Sequence, residues 1–165
     1  MRIARSGRFV FVAQWFLTLL LLCFVAFGRG FVGSPLGWMA VIAIWMGLPL
    51  ILAAYVPPLL TLFDRDVRAA KATRTAYSIT SWVLWGALVF TGIVLVDGGD
   101  DGVSGSALTV WTGGAVGTDA SYALMLVGGL VAIAAWVATV VAAIAGIVSA
   151  RRSRSARPVD EPASV

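Results

Sequence analysis

The residues able to do chemistry are few, and nearly all of them flank apolar stretches. Asp64 and Asp66 lie beside Arg65 and Arg68 in the segment FDRDVR. Paired acids near a membrane face hold magnesium in lipid-headgroup transferases, but such enzymes carry a longer, multi-acid motif that is absent here. Ion pairs on a helix surface are the expectation instead, with Asp64 and Arg68 in the favourable i,i+4 order. A second acidic cluster, DGGDDG from Asp97 to Gly102, has the oxygen ligands that calcium takes. Its spacing fits no calcium loop and the bidentate Glu is missing, so a solvated acidic loop is expected. Gln14 and Thr18 stand one turn apart within the first apolar stretch. Tyr77, Ser78, Thr80, Ser81 and Thr91 lie in the third and Thr139 in the fourth. These mild polar groups are expected to join helices, each at about 0.6 kcal/mol.

The sequence has one cysteine, Cys23, and no histidine. That excludes a CxxC redox site, bis-His haem, His-ligated zinc and His proton relays. No ionisable residue lies between the ends of the apolar stretches, so the embedded carboxylate of a small proton-coupled transporter is missing. No catalytic, cofactor or metal site is expected.

What must position these groups is a membrane domain. Of 165 residues, 60% are hydrophobic and 12% charged, against about a quarter charged in a soluble domain. The charges fall between four apolar blocks, the segregation expected where a charge at a helix centre costs roughly 2.5–3.5 kcal/mol. The predicted spans are 9–27, 36–56, 76–96 and 120–150. The first resembles a secretory signal behind Arg2, Arg5 and Arg8, but it is longer than the ~7–15 apolar residues of one, and an uncleaved helix is expected. The second block, Leu36 to Phe63, exceeds the hydrocarbon thickness by roughly ten ångströms as a straight helix. Pro49 is expected to kink it and Pro57-Pro58 to end it near Val56. The following segment is expected to continue as an interfacial helix with Leu59, Phe63, Val67 and Ala70 on one apolar stripe. Arg65, Arg68, Lys71 and Arg74 would then face lipid phosphates, as would Arg151 and Arg152 behind the fourth span. In the loop from Asp97 to Asp119, ALTVW (Ala107 to Trp111) is expected to lie on the membrane surface or form a hairpin. Residues 151–165 are expected to be a basic, disordered tail.

Small residues recur every four positions in the fourth span: Ala134, Ala138, Ala142, Gly146 and Ala150, preceded by Gly128 and Ala132. Small side chains allow close helix approach in lipid, so Gly128, Ala132, Ala134, Ala138, Ala142 and Gly146 are the predicted packing surface. A spacing of four drifts ~40° per step on a 3.6-residue helix, so one straight contact can use only part of that row.

With four spans, the N-terminus, the 64–75 loop and the tail share one side. They hold 11 of the 12 basic residues, all but Arg29. Lys and Arg stay cytoplasmic in short loops, which predicts both termini inside the plasma membrane. The fold class is therefore an all-α, four-transmembrane-helix bundle, one domain over 1–150. The functional expectation is an accessory or interaction protein without catalytic activity. Its partners would be anionic lipid headgroups and a second copy or another membrane protein, and not nucleic acid. The alternative is a small transporter or channel subunit, which requires a water-lined cavity at Gln14, Thr18 or the hydroxyls of the third span. An enzyme acting at a bilayer face ranks below both.

Overall fold

A computed structural model describes residues 3–32, 36–100 and 102–155. Helices α1 (Gly7–Ala13) and α2 (Leu17–Phe27) lead into a 3-10 turn at Gly28–Val32. Then follow α3 (Trp38–Thr61), α4 (Arg65–Ala70) and α5 (Thr75–Val94). A hairpin of β1 (Asp97–Gly99) and β2 (Gly102–Ser104), the short α6 (Ala107–Trp111) and the long α7 (Thr118–Ser155) complete the chain. Among the described residues, α3, α5 and α7 are each long and apolar enough to cross a membrane. Helices α1 and α2 pass the same test only together, as a pair bent by 57°.

That bend is the first departure from expectation, since no proline or glycine marks it. At Gln14–Phe16 the ladder shortens: Trp15 donates to the Val12 carbonyl at 3.3 Å and Phe16 to Ala13 at 3.1 Å. The Phe11 carbonyl thereby loses its usual donor, and the Gln14 side chain supplies one from Nε2 at 3.1 Å. The polar residue at position 14 makes a break tolerable where hydrocarbon offers no water.

The second departure is α3, which continues through Pro57 and Pro58 to Thr61 instead of ending near Val56. Pro57 removes the N–H that would bond the Ala53 carbonyl. Trp136 of α7 donates its indole N–H to that carbonyl at 3.0 Å, so the helix can run on. The chain then turns at Leu62–Asp64, and α4 is a separate helix of 6 residues. The predicted stripe is consequently broken: Val67 is buried, whereas Phe63 is 70% exposed. ALTVW forms α6, capped by Ser106, which accepts from the Thr109 N–H at 3.1 Å. The hairpin lies earlier, at Asp97–Ser104. Helix α7 extends to Ser155, so residues 151–155 of the expected tail are helical. The rest of that tail and Asp101 lie outside the described residues.

Helix α5 is the central element, packed against α1, α2, α6 and α7. Tyr77, Leu84, Trp85 and Leu88 on it form the core with Val10, Leu21, Ala132, Ala135 and Ala143. The α1–α2 pair follows α5 along its length, from Gly7 against Thr73 to Phe24 against Gly92. One end of the molecule gathers three regions. Ala4 donates to the Thr73 carbonyl at 3.1 Å and Thr73 to the Gly7 carbonyl at 3.0 Å, and Gly146 of α7 lies beside Asp64 and Arg74.

On α7 the buried positions are Ser121, Gly128, Ala132, Ala135, Thr139, Ala143 and Gly146. After a first step of seven, the steps are threes and fours, as a 3.6-residue helix requires of a straight seam. Of the every-four row, Ala142 packs against the core, Ala138 is half-buried and Ala134 is exposed. A Cβ on Gly128 would stand 2.7 Å from Thr91 Oγ1 and 2.9 Å from the Phe90 ring. Gly128→Leu is therefore expected to destabilise by about 1–3 kcal/mol through overpacking, and Ala134→Leu by less than about 0.5 kcal/mol. Unfolding of both variants in detergent by denaturant titration checks this; equal losses would refute the assigned seam.

Candidate functional site

The densest polar constellation sits where α3, α4, α5 and α7 meet. It begins with Asp64, the N-cap of α4, whose extended backbone (φ −82°, ψ 105°) turns its side chain back over the helix start. Asp64 Oδ1 accepts from the amides of Asp66 at 3.1 Å and Val67 at 3.4 Å. Lys71 ends α4 in the left-handed conformation, at φ 48°, and the reversal returns the chain toward Asp64. Arg74 then reaches it with two bonds, Nε to Oδ2 at 2.6 Å and Nη2 to Oδ1 at 3.1 Å. Arg74 Nη2 also donates to Asp66 Oδ2 at 2.8 Å. Asp64 is 2% exposed and Arg74 6%. The hydrogen bonds to Asp64, foremost, hold the Arg74 pKa above its ordinary value, against the opposing effect of burial.

The pair fits under α7 because position 146 is glycine. A Cβ there would lie 2.8 Å from Asp64 Oδ2 and 3.2 Å from Arg74 Nε. Beside the pair, Thr73 is fully buried; its hydroxyl bonds that of Ser78 at 2.7 Å and lies 3.3 Å from the Gly7 carbonyl. One layer further in, Tyr77 donates to Gln14 Oε1 at 2.7 Å, and Gln14 Nε2 lies 3.5 Å from Thr61 Oγ1. Thr61 donates to the Pro58 carbonyl at 2.7 Å. Trp85 Nε1 donates to Thr18 Oγ1 at 3.0 Å. The gap lined by Thr61, Asp64, Val67, Thr73, Arg74 and Tyr77 is only ≈ 10 Å³, about the room of one water.

At the far end of α3, Asp97 does similar work. Its carboxylate accepts from the amides of Gly37 at 2.9 Å, Met39 at 3.0 Å and Gly98 at 2.8 Å. It is buried and serves the first turn of α3, instead of belonging to a solvated loop. Among the described residues, no group of three or more His, Cys, Asp or Glu side chains is placed to hold a metal.

Of the residues expected at lipid headgroups, Arg65, Arg68, Lys71, Arg151 and Arg152 are exposed. Arg74 is the correction: it is consumed by the buried pair, since the reversal at Lys71 turns it inward. Asp64 pairs with Arg74 and not with Arg68, because a cap residue one step before the helix points at its first amides. Of the packing residues, Gly128 meets α5, Ala132 is in the core and Gly146 seats the ion pair. The roles of Asp64, Thr73, Asp97 and Trp136 were not anticipated. Asp64 ahead of RDVR carried a readable cap signal, and Pro57 implied an orphan carbonyl; the identity of its donor carried none.

Comparison with protein-family models, curated proteins and solved structures finds no match to this chain.

Removing Arg74 should leave a buried, uncompensated carboxylate. Arg74→Met is expected to cost about 3–5 kcal/mol. Adding Asp64→Asn, which keeps a capping oxygen but removes the charge, should recover part of that loss. Unfolding free energies of the two variants in detergent decide it. A double variant no more stable than Arg74→Met alone would mean the charge is not what matters.

Proposed function

We propose that this chain is an integral plasma-membrane interaction protein without catalytic activity, one that packs against itself or another membrane protein. In this reading the α1–α2 pair is a single broken span and the fold is a four-helix bundle. Its course alongside α5 from Thr73 to Gly92 supports one crossing over a re-entrant loop. The end that gathers the N-terminal residues, the 62–74 link and the last turns of α7 is the basic end, and lies inside.

The observation that carries the functional reading is the fate of the inward polar groups. Gln14, Thr18, Thr61, Tyr77, Trp85 and the Asp64–Arg74 pair all spend their hydrogen-bonding capacity on each other or on backbone. A transporter or channel would need Gln14, Thr18 or the hydroxyls of α5 to face a wetted path. Gln14 and Thr18 instead lock helices together, and of those hydroxyls Thr91 is buried against Gly128 without a hydrogen-bond partner among the described residues. What remains available is surface. Only 6% of the apolar window of α3 is buried within the chain, and Ile44, Trp45, Leu48 and Leu52 on it are all more than half exposed.

Native mass spectrometry from mild detergent should find the chain in a stoichiometric complex, as a homo-oligomer or with one membrane partner. A clean monomer of 17.3 kDa across a range of mild detergents overturns the interaction reading. Reporter fusions at the N-terminus and after Ser155 should both report the inner side; a tail reported outside overturns the four-span orientation.

A further inference from the structure

A hollow of ≈ 200 Å³ opens at the basic end, between α4 and the last turns of α7, lined by Phe63, Arg65, Asp66, Ile147, Ala150 and Arg151. We propose that it binds the phosphodiester headgroup of one anionic phospholipid, with Arg65 and Arg151 as its ligands. The proposal rests on the membrane reading above, but not on which leaflet the basic end faces.

Three observations converge on that occupant. The first is height. Arg65 directly follows the uncharged stretch of the second block and its Asp64, and Arg151 is the first charge on α7 after Asp119. Both guanidiniums therefore stand where hydrocarbon gives way to headgroups. The second is charge. Among the described residues neither Arg65 nor Arg151 has an ion-pair or side-chain hydrogen-bond partner, whereas the one acid of the hollow, Asp66, is bridged to Arg74 at 2.8 Å. Arg65, Arg74 and Arg151 against Asp64 and Asp66 leave one net positive charge, matching a single phosphodiester. Arginine also suits a phosphate, since its planar fork can bond two oxygens. The third is the wall. Phe63, Ile147 and Ala150 offer the hollow an apolar side, with Phe63 70% exposed. A free phosphate has no use for that side, while the glycerol and first methylenes of a lipid do. Zwitterionic lipids fit less well, because their own cation already balances the phosphate.

The arginines come from two elements far apart in sequence, so the site exists only in the assembled bundle. Arg68 and Lys71 are also exposed on or beside α4 but do not line the hollow, and they serve as the internal control.

The test uses the full chain in mild detergent, with retained lipids counted by native mass spectrometry after addition of phosphatidylglycerol or phosphatidylcholine. The wild type should retain one phosphatidylglycerol about thirtyfold better than phosphatidylcholine, the scale expected of two basic groups at a headgroup. Arg65→Gln with Arg151→Gln should abolish the preference. Arg65→Lys with Arg151→Lys should keep part of it, and Arg68→Gln with Lys71→Gln should keep all of it. Equal retention of both lipids by the wild type overturns the proposal. So does an equal loss in the control variant, which would indicate diffuse attraction. Displacement by millimolar inorganic phosphate as effective as that by phosphatidylglycerol overturns the lipid assignment. A chain that fails to enter bilayers at all refutes the membrane reading, and is read separately from reconstitution yield.

Discussion

A backbone carbonyl in hydrocarbon has no water to turn to, and that constraint organises this helical fold. The chain interrupts its own helices and recruits a side chain to three of the freed carbonyls. Gln14 serves Phe11, Tyr55 serves Trp15 at 2.9 Å, and Trp136 serves Ala53. Two of these bonds cross between elements: Tyr55 ties α3 to the break after α1, and Trp136 ties α7 to α3. The irregularities thus become tertiary joints. They matter most for α3, which buries little of its apolar surface within the chain. Apolar contact contributes little to helix association in lipid, where the tails are equally apolar. Directional bonds at three heights hold α3 instead: Asp97 at its first turn, Trp136 and Tyr55 midway, and the Gln14–Thr61 approach at its end.

At the basic end the same logic applies to charge. An unpaired carboxylate buried among α3, α5 and α7 would be expelled or neutralised. Asp64 is retained because every side of it is answered: two amides of α4 on one oxygen, and the Arg74 fork across both. The cost of desolvating such a pair often offsets its attraction, so its value here lies in geometry. It closes the turn from α3 through α4 to α5 into a fixed loop. It also demands glycine at 146, which aligns α7 against that loop. Thr73, bonded to Gly7, fastens the N-terminal residues to the same loop.

The apolar blocks of the sequence became α3, α5 and α7, with boundaries displaced by a few residues, because solvent segregation is a property of composition. The interruption at Gln14–Phe16 was not legible, since it depends on a side chain returning to its own backbone and on Tyr55 arriving from another helix. The prolines misled for a related reason. Their local effect is to end a helix, but Trp136 is supplied 83 positions away. The small-residue row was legible as a packing signal, and only part of it lies on the seam within the chain. Composition marks which residues are small, whereas the helical repeat decides which share a seam. Arg74 was assigned to lipid because a charge on a short basic segment usually faces headgroups. Only the left-handed turn at Lys71 reverses that, and a lysine gives no warning of it.

These placements separate the polar groups into two populations with different consequences. Among the described residues those inside are closed on themselves apart from the buried Thr91 hydroxyl, and to engage a solute Gln14, Thr18, Tyr77 or Trp85 would first have to abandon a partner. Tyr77 would release Gln14, which in turn steadies the break between α1 and α2. A pathway through this layer would therefore dismantle the joint that positions its own walls. Those at the basic end are open: Arg65, Arg68, Lys71, Arg151 and Arg152 are exposed, and the buried pair behind them fixes the backbone from which Arg65 extends. Rigid support behind an exposed charged rim is what recognition of a headgroup or a partner requires. It is also why interaction at the surface, and not passage through the centre, is the reading that this arrangement favours.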